Sequence, residues 1–149
     1  PVTQGATSIW ERWNGYTNEL GFNGNNSMNS FNHYAYGAIG EWMYRAMAGI
    51  EADPEHPGFK HAILYPRIGG NLKYTAGKYH SIYGDVGVKW EVQGNQITLT
   101  VQIPVNTTAE IRLDQAKAVL ESDGLTFIRE ADYMAAEAGS GTYHIAFEQ

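Results

Sequence analysis

Gln96-Ile97-Thr98-Leu99-Thr100-Val101-Gln102-Ile103 alternates polar and apolar residues without a break. Successive side chains of a strand point to opposite faces, so Ile97, Leu99, Val101 and Ile103 share one face. The stretch therefore reads as a half-buried β-strand. The same period of two extends in both directions from it. Residues 72–80 and 85–92 precede it, and Gln93-Gly94-Asn95 supplies a tight hairpin connection. His61-Ala62-Ile63-Leu64-Tyr65-Pro66 is a short apolar strand. Residues 109–113, 118–121, 125–129 and 143–147 bring the total to about eight strands, with Asp123-Gly124 as a further turn signal. Residues 130–141 fit either a loop or one helical turn. Short strands at this spacing, with no helices between them, predict an antiparallel, jelly-roll-like β-sandwich.

The amino-terminal third has a different texture. Residues 1–29 are rich in Gly and Asn and read as loop, with a short extended piece at 6–13. From Ser30 to Ile50 the pattern predicts one helix, because Tyr36, Ile39, Met43, Met47 and Ile50 recur at three- and four-residue steps. Asn29 or Ser30 can cap its start, and Gly49 sits where a C-terminal glycine belongs. The opposite side carries Phe31, Tyr34, Ala35, Ala38 and Trp42, so it is no plain solvent face. A helix apolar on nearly all sides needs neighbours on nearly all sides. This chain offers little to cover it, so part of the wall is expected to be missing. The consequence expected is self-association through the 30–50 helix, or packing of that helix against the sandwich. Pro54, Pro57 and Gly58 break any helix and mark a boundary, dividing the chain into 1–55 and 56–149.

Bulk properties narrow the classes. The 149 residues, 43% hydrophobic and 17% charged, suit one good core or two small units. Net charge is −6 with scattered basic residues, so no nucleic-acid partner is expected. No apolar run approaches the roughly 20 residues of a membrane span, and no membrane partner is expected. The absence of cysteine excludes disulfides and thiolate chemistry. His33, His56, His61, His80 and His144 show no close ligand spacing, so neither a metal nor another cofactor is expected. The start, Pro1-Val2-Thr3-Gln4-Gly5, carries no initiator methionine or signal peptide and reads as a processed, trimmed or excised piece, with the compartment left open. Asn25-Asn26-Ser27 and Asn106-Thr107-Thr108 meet the glycosylation sequon, a pattern short enough to arise by chance.

Chemistry concentrates near the amino end. Ser8-Ile9-Trp10-Glu11-Arg12-Trp13-Asn14-Gly15 sets one carboxylate between two tryptophans. Indoles offer flat apolar faces with a polar edge, which suits the C–H faces and hydroxyls of a sugar. Trp10 and Trp13 are therefore candidate substrate-binding residues, and Glu11 has the chemistry of a glycosidase base. If 10–13 is extended, Glu11 shares a face with Trp13, and Trp10 with Arg12. The plain alternative makes Glu11 a surface carboxylate paired with Arg12 or capping a turn. His33 reads either as an imidazole bonding a sugar hydroxyl or as a core-edge group donating to a carbonyl. Glu41 and Arg45, four apart, fit an ordinary helical ion pair or a loop anchor. Ser8 and Ser27 lie in no nucleophile elbow, and no glycine pair forms a phosphate cradle.

Four motifs occur in order: Trp10-Glu11-Arg12-Trp13, the Ser27–Tyr44 run, Ala48-Gly49-Ile50, and Pro57-Gly58-Phe59-Lys60-His61 followed by Pro66. Together they resemble the carboxyl end of bacterial α-L-rhamnosidases of glycoside hydrolase family 78, over residues 6 to 92. The resemblance implies that residues 1–55 are the carboxyl-terminal remnant of an (α/α)6 catalytic toroid, ending in its last helix, followed by the β-sandwich. It implies an inverting hydrolase acting on L-rhamnose-containing glycosides, with Glu11 as general base and His33 in the rhamnose subsite. The family's general acid lies in an upstream acidic motif, Asp-Gly with a later Arg-Asp-Glu, which nothing in this chain matches. The partner implied is therefore the rest of the parent catalytic domain, and the isolated chain is expected to be inactive. The alternative is a non-catalytic carbohydrate-binding or structural module.

Overall fold

A computed structural model describes residues 1–22 and 27–149, so Asn25 of the first sequon lies outside the described residues. Two compact units divide between Glu41 and Trp42: Pro1–Glu41 and Trp42–Gln149.

The second unit is a sandwich of two five-stranded sheets. Its strands are β1 (Ile50–Ala52), β2 (His61–Leu64), β3 (Tyr74–Ser81), β4 (Gly84–Gln93) and β5 (Gln96–Ile103), then β6 (Thr108–Asp114), β7 (Ala118–Glu121), β8 (Ile128–Arg129), β9 (Tyr133–Ala138) and β10 (Gly141–Glu148). One sheet runs β1-β2-β6-β9-β8 and the other β3-β4-β5-β10-β7. In β5 the alternation is obeyed: Ile97, Leu99, Val101 and Ile103 are all buried. Beside them in the same sheet lie Val86, Val88 and Trp90 of β4 and Ile145 and Phe147 of β10, and Ala109, Ile111 and Leu113 of β6 join the same core from the other sheet. Burying each such large side chain contributes about 1.5–3 kcal/mol, so this layer outweighs every surface contact in the unit.

Three features differ from expectation. First, β2 and β6 run parallel, from His61↔Thr108 to Leu64↔Ile111, so the sandwich is antiparallel everywhere except this pair. Second, β9 fills half of residues 130–141, the stretch left between loop and helical turn. Met134, Ala135, Ala136, Glu137 and Ala138 are good helix formers, but Ala136 and Ala138 are buried in register against β6. Tertiary pairing overrides local propensity there. Third, Ile50, expected to end the helix, instead opens the strand Ile50–Ala52, which pairs with β2, Ile50 opposite Leu64.

The helix is correspondingly shorter than 30–50 and irregular. Tyr34–Ala38 is a 3-10 turn, Ile39–Trp42 one α-turn, and Met43–Ala48 a π-turn closed by Gly49 at φ 74°, whose N–H donates to Tyr44 O. His33, not Asn29 or Ser30, occupies the N-cap. The expected buried stripe is largely open: Tyr36, Ile39 and Met43 are exposed, and burial begins at Ala48 and Ile50. Within the second unit the end of this segment is pinned hard. Trp90, 1% exposed, donates its Nε1–H to Met47 O at 2.8 Å. Tyr65 N–H donates to Gly49 O at 2.7 Å and Arg67 N–H to Ala46 O at 2.9 Å.

Pro1–Glu41 is built from loops. Edge-to-face rings link Tyr16 to Phe22, Phe22 to Phe31 and Phe31 to Trp10, with centroids 5.3, 5.7 and 4.9 Å apart. Such pairs add about 0.5–1.5 kcal/mol each beyond their area. Asn29 Nδ2 donates to Gly15 O at 2.8 Å. Gly15 is buried, and a Cβ there would lie 2.3 Å from Asn29 Oδ1, so a larger residue must displace the Asn29 side chain from this clip.

Candidate carbohydrate site around Glu11

The expected extended piece at 6–13 is a bent segment instead. Arg12 to Gly15 form a turn, closed by Gly15 N–H donating to Arg12 O at 3.1 Å. Before that turn, residues 9–11 lie against residues 30–33. Glu11 N–H donates to Ser30 O and His33 N–H to Ile9 O, both at 2.8 Å. This pairing, and not a shared strand face, brings the site residues together.

Glu11 is held at three points. Ser30 N–H donates to Oε2 at 2.8 Å, making the Glu11–Ser30 contact reciprocal. The hydroxyl of Tyr36 donates to Glu11 O at 3.2 Å. His33 Nδ1 lies 3.9 Å from Oε2, with the glutamate side chain 22% exposed and the histidine 32%. Among the described residues Glu11 pairs with His33 and not with Arg12. The His33 ring in turn lies 5.3 Å from Tyr36 and stacks with Tyr34 at 6.5 Å.

The four expected site residues thus separate. Glu11 and His33 meet. Trp10 packs its ring on Phe31 and serves this unit's small aromatic core. Trp13, on the turn, is 85% exposed. Ser30 and Tyr36 were missed as positioning residues. Tyr36 fits the apolar helical stripe equally well, and a backbone N–H leaves no trace in residue type. Ser8, singled out only to be dismissed as a nucleophile, donates its hydroxyl to Phe31 O. Glu41 belongs to the first unit and Arg45 to the second, where Arg45 Nε also lies 4.0 Å from Glu51.

Chemically, this is a partly buried carboxylate aimed by one backbone N–H, with an imidazole beside it. Oε1 accepts no hydrogen bond among the described residues. A carboxylate fixed this way can accept a proton from a water within hydrogen-bond reach. An imidazole at this range can bond a ligand hydroxyl on either ring nitrogen. Among the described residues no group of three or more His, Asp or Glu is placed to hold a metal ion.

Comparisons with known proteins match two successive stretches of the chain. Residues 1–47 match the six-hairpin glycosidase domain of bacterial α-L-rhamnosidases, and residues 49–126 match their C-terminal domain. An α-L-rhamnosidase of Streptomyces avermitilis is 39% identical over 146 residues, covering 96% of this chain and 14% of its own length. One from Formosa agariphila is 46% identical over 112 residues, covering 75% of this chain and 12% of its own. The crystal structure of the Streptomyces avermitilis enzyme complexed with L-rhamnose superposes with a TM-score of 0.82 at 37% identity, covering 98% of this chain and 14% of that one. The chain thus spans about one-seventh or less of the length of the curated relatives it matches.

Proposed function

The chain belongs to the bacterial α-L-rhamnosidases and corresponds to their carboxyl-terminal part; from that premise we propose that it contributes the general base, Glu11, to a parent enzyme that hydrolyses terminal α-L-rhamnosyl residues with inversion. The observation that supports this reading is the position of Glu11, aimed by Ser30 N–H with His33 Nδ1 3.9 Å from Oε2. In this role Glu11 takes a proton from water as its oxygen attacks the anomeric carbon, and His33 bonds a rhamnose hydroxyl. An inverting pair sets its carboxyls about 6.5–9.5 Å apart, which leaves room for that water. The acid that protonates the leaving oxygen belongs, in this proposal, to the rest of the parent catalytic domain.

Two parts follow: a toroid remnant at the amino end and a sandwich after it. We propose the seam at Gly49 instead of near residue 55, a reading supported by the pairing of Ile50–Ala52 with β2. Without its acid the isolated chain is inactive, since general acid–base assistance is typically worth about 10²–10⁴-fold. The reciprocal Glu11–Ser30 contact favours a second reading, in which Glu11 is a loop clip and the chain a structural module. Incubating the purified chain with an aryl α-L-rhamnoside, and titrating it with L-rhamnose by NMR, separates the cases. No turnover, with binding lost in Glu11→Ala and His33→Ala, is the result expected. Turnover by the chain alone contradicts the missing acid, and absence of any rhamnose response favours the clip.

A further inference from the structure

A second cluster of charge lies wholly within the sandwich. Ala109, Ile111 and Leu113 of β6 turn into the core, so Glu110, Arg112 and Asp114 face outward. β9 sets Tyr133 opposite Asp114, and β8 places Arg129 opposite Met134. Tyr65 and Arg67 arrive from the end of β2. These groups, with Lys117 and Asp132, border a cleft of about 590 Å³. Small-molecule sites typically measure about 300–1,000 Å³.

The cleft holds more cationic donors than it uses. Arg67, Arg112, Lys117 and Arg129 stand against Asp114, Asp132 and, behind Arg112, Glu110. Four positive and three negative groups leave a net positive cleft in a chain of net −6. Each guanidinium carries five N–H donors. Arg129 commits Nη2 to Ala116 O and Lys117 O, each at 3.0 Å. Arg112 gives Nη2 to Glu110, while its buried Nε has no partner among the described residues. Arg67 Nη1 stands 3.7 Å from Asp114 Oδ1, an ion-pair distance without a close hydrogen bond. The aromatic rings are already spent on holding these cations. Arg67 Cζ lies 3.3 Å over Tyr65, and Arg112 Cζ lies 5.0 Å from the Tyr133 centroid. Recognition here must therefore come from charge and hydrogen bonds and not from ring stacking.

We propose that this cleft binds a carboxylate-bearing sugar, its carboxylate taken by Arg67, Arg112 and Arg129 and its hydroxyls by Asp114, Gln115 and Asp132. A simple anion engages only the cations. A uronic acid also matches the acceptors interleaved with them, because each sugar hydroxyl both donates and accepts. The proposal is independent of the role given to Glu11, since every residue it uses lies in the second unit.

The test is an NMR titration of the full chain with D-galacturonate, with D-galactose, acetate, sulfate and L-rhamnose as separate arms at constant ionic strength. Saturable shifts centred on Arg112, Ala131 and Tyr133 are expected with galacturonate alone. Binding is expected to weaken at least tenfold in Arg67→Ala and Arg129→Ala and to recover in part in Arg67→Lys. Both arginines are exposed, so these variants leave the core intact. No galacturonate response overturns the proposal, even where rhamnose perturbs Glu11 and His33. Equal binding of galactose overturns the charge requirement, and equal binding of acetate or sulfate overturns the sugar requirement.

Discussion

Gly49 is the residue on which the joint between helix and sandwich depends, and Gly49→Ala tests how that joint is built. The residue sits at φ 74°, and an added Cβ would lie 2.0 Å from Pro66 N and 2.3 Å from Tyr65 C. The left-handed conformation alone costs a side-chain-bearing residue about 1–2 kcal/mol. The clash is with backbone, which no rotamer can relieve, so Gly49 must move away from residues 65–66. That movement breaks the 2.7 Å bond from Tyr65 N–H to Gly49 O. Tyr65 and Gly49 are both buried, and a buried group left unpaired costs about 1–3 kcal/mol. The sum is about 2–5 kcal/mol, against a total stability of about 5–15 kcal/mol for a typical domain. Gly40→Ala is the control. It lies in the α-turn with nothing within 4 Å of its added Cβ, and is expected to be neutral or to stabilise by up to about 1 kcal/mol. Urea unfolding followed by circular dichroism reads both variants. A midpoint lowered for Gly49→Ala and unchanged or raised for Gly40→Ala is expected; loss of less than 1 kcal/mol in Gly49→Ala refutes the close-approach reasoning.

Trp90→Phe removes the donor to Met47 O and is expected to cost about 1–3 kcal/mol in urea unfolding; an unchanged midpoint argues that the bond does no net work. The carboxyls of Asp53 and Asp85 are held below the usual range chiefly by hydrogen bonds from His56 and His80, and that of Asp123 by the His144 backbone N–H and then its ring. Folded values below unfolded ones mean stability that is present above about pH 4 and lost as pH falls through the folded values, which melting curves between pH 2 and 5 check. Asp114 has the opposite sign, because burial pushes its carboxyl up despite Tyr65 and Arg67. Its charged form is penalised, so stability is lost as pH rises from about 4 through the raised folded value, and Asp114→Asn is expected to melt higher than wild type at pH 7 with the difference vanishing below about pH 4. Tyr36, Ile39, Trp42, Met43 and Tyr44 are all about half exposed, so sedimentation is expected to show concentration-dependent association; a monomer that binds no apolar dye counts against it.

The sandwich was legible wherever one face alone is buried. β5 reads residue by residue because Ile97, Leu99, Val101 and Ile103 alternate with polar partners across 96–103. β9 was not, because its inward positions are alanines, and Ala, Met and Glu carry no strand signal. β1 hid behind a helical stripe that runs through Gly49 to Ile50, although Gly49 itself marks the stop. Near Glu11, residue types and family motifs point to the pair with His33. They say nothing of the backbone pairing of 9–11 with 30–33, which creates the proximity. The cationic cleft could not be read at all. Its residues come from positions 65, 67, 112, 129 and 133, and only the β2–β6–β9–β8 order makes them neighbours.

Turnover of an aryl α-L-rhamnoside by the intact parent carrying Glu11→Gln addresses the proposed base most directly. The amide keeps an oxygen for Ser30 N–H but cannot take up a proton from water. With an unchanged circular dichroism spectrum, kcat is expected to fall by about 10²–10⁴. A kcat within threefold of wild type contradicts the assignment.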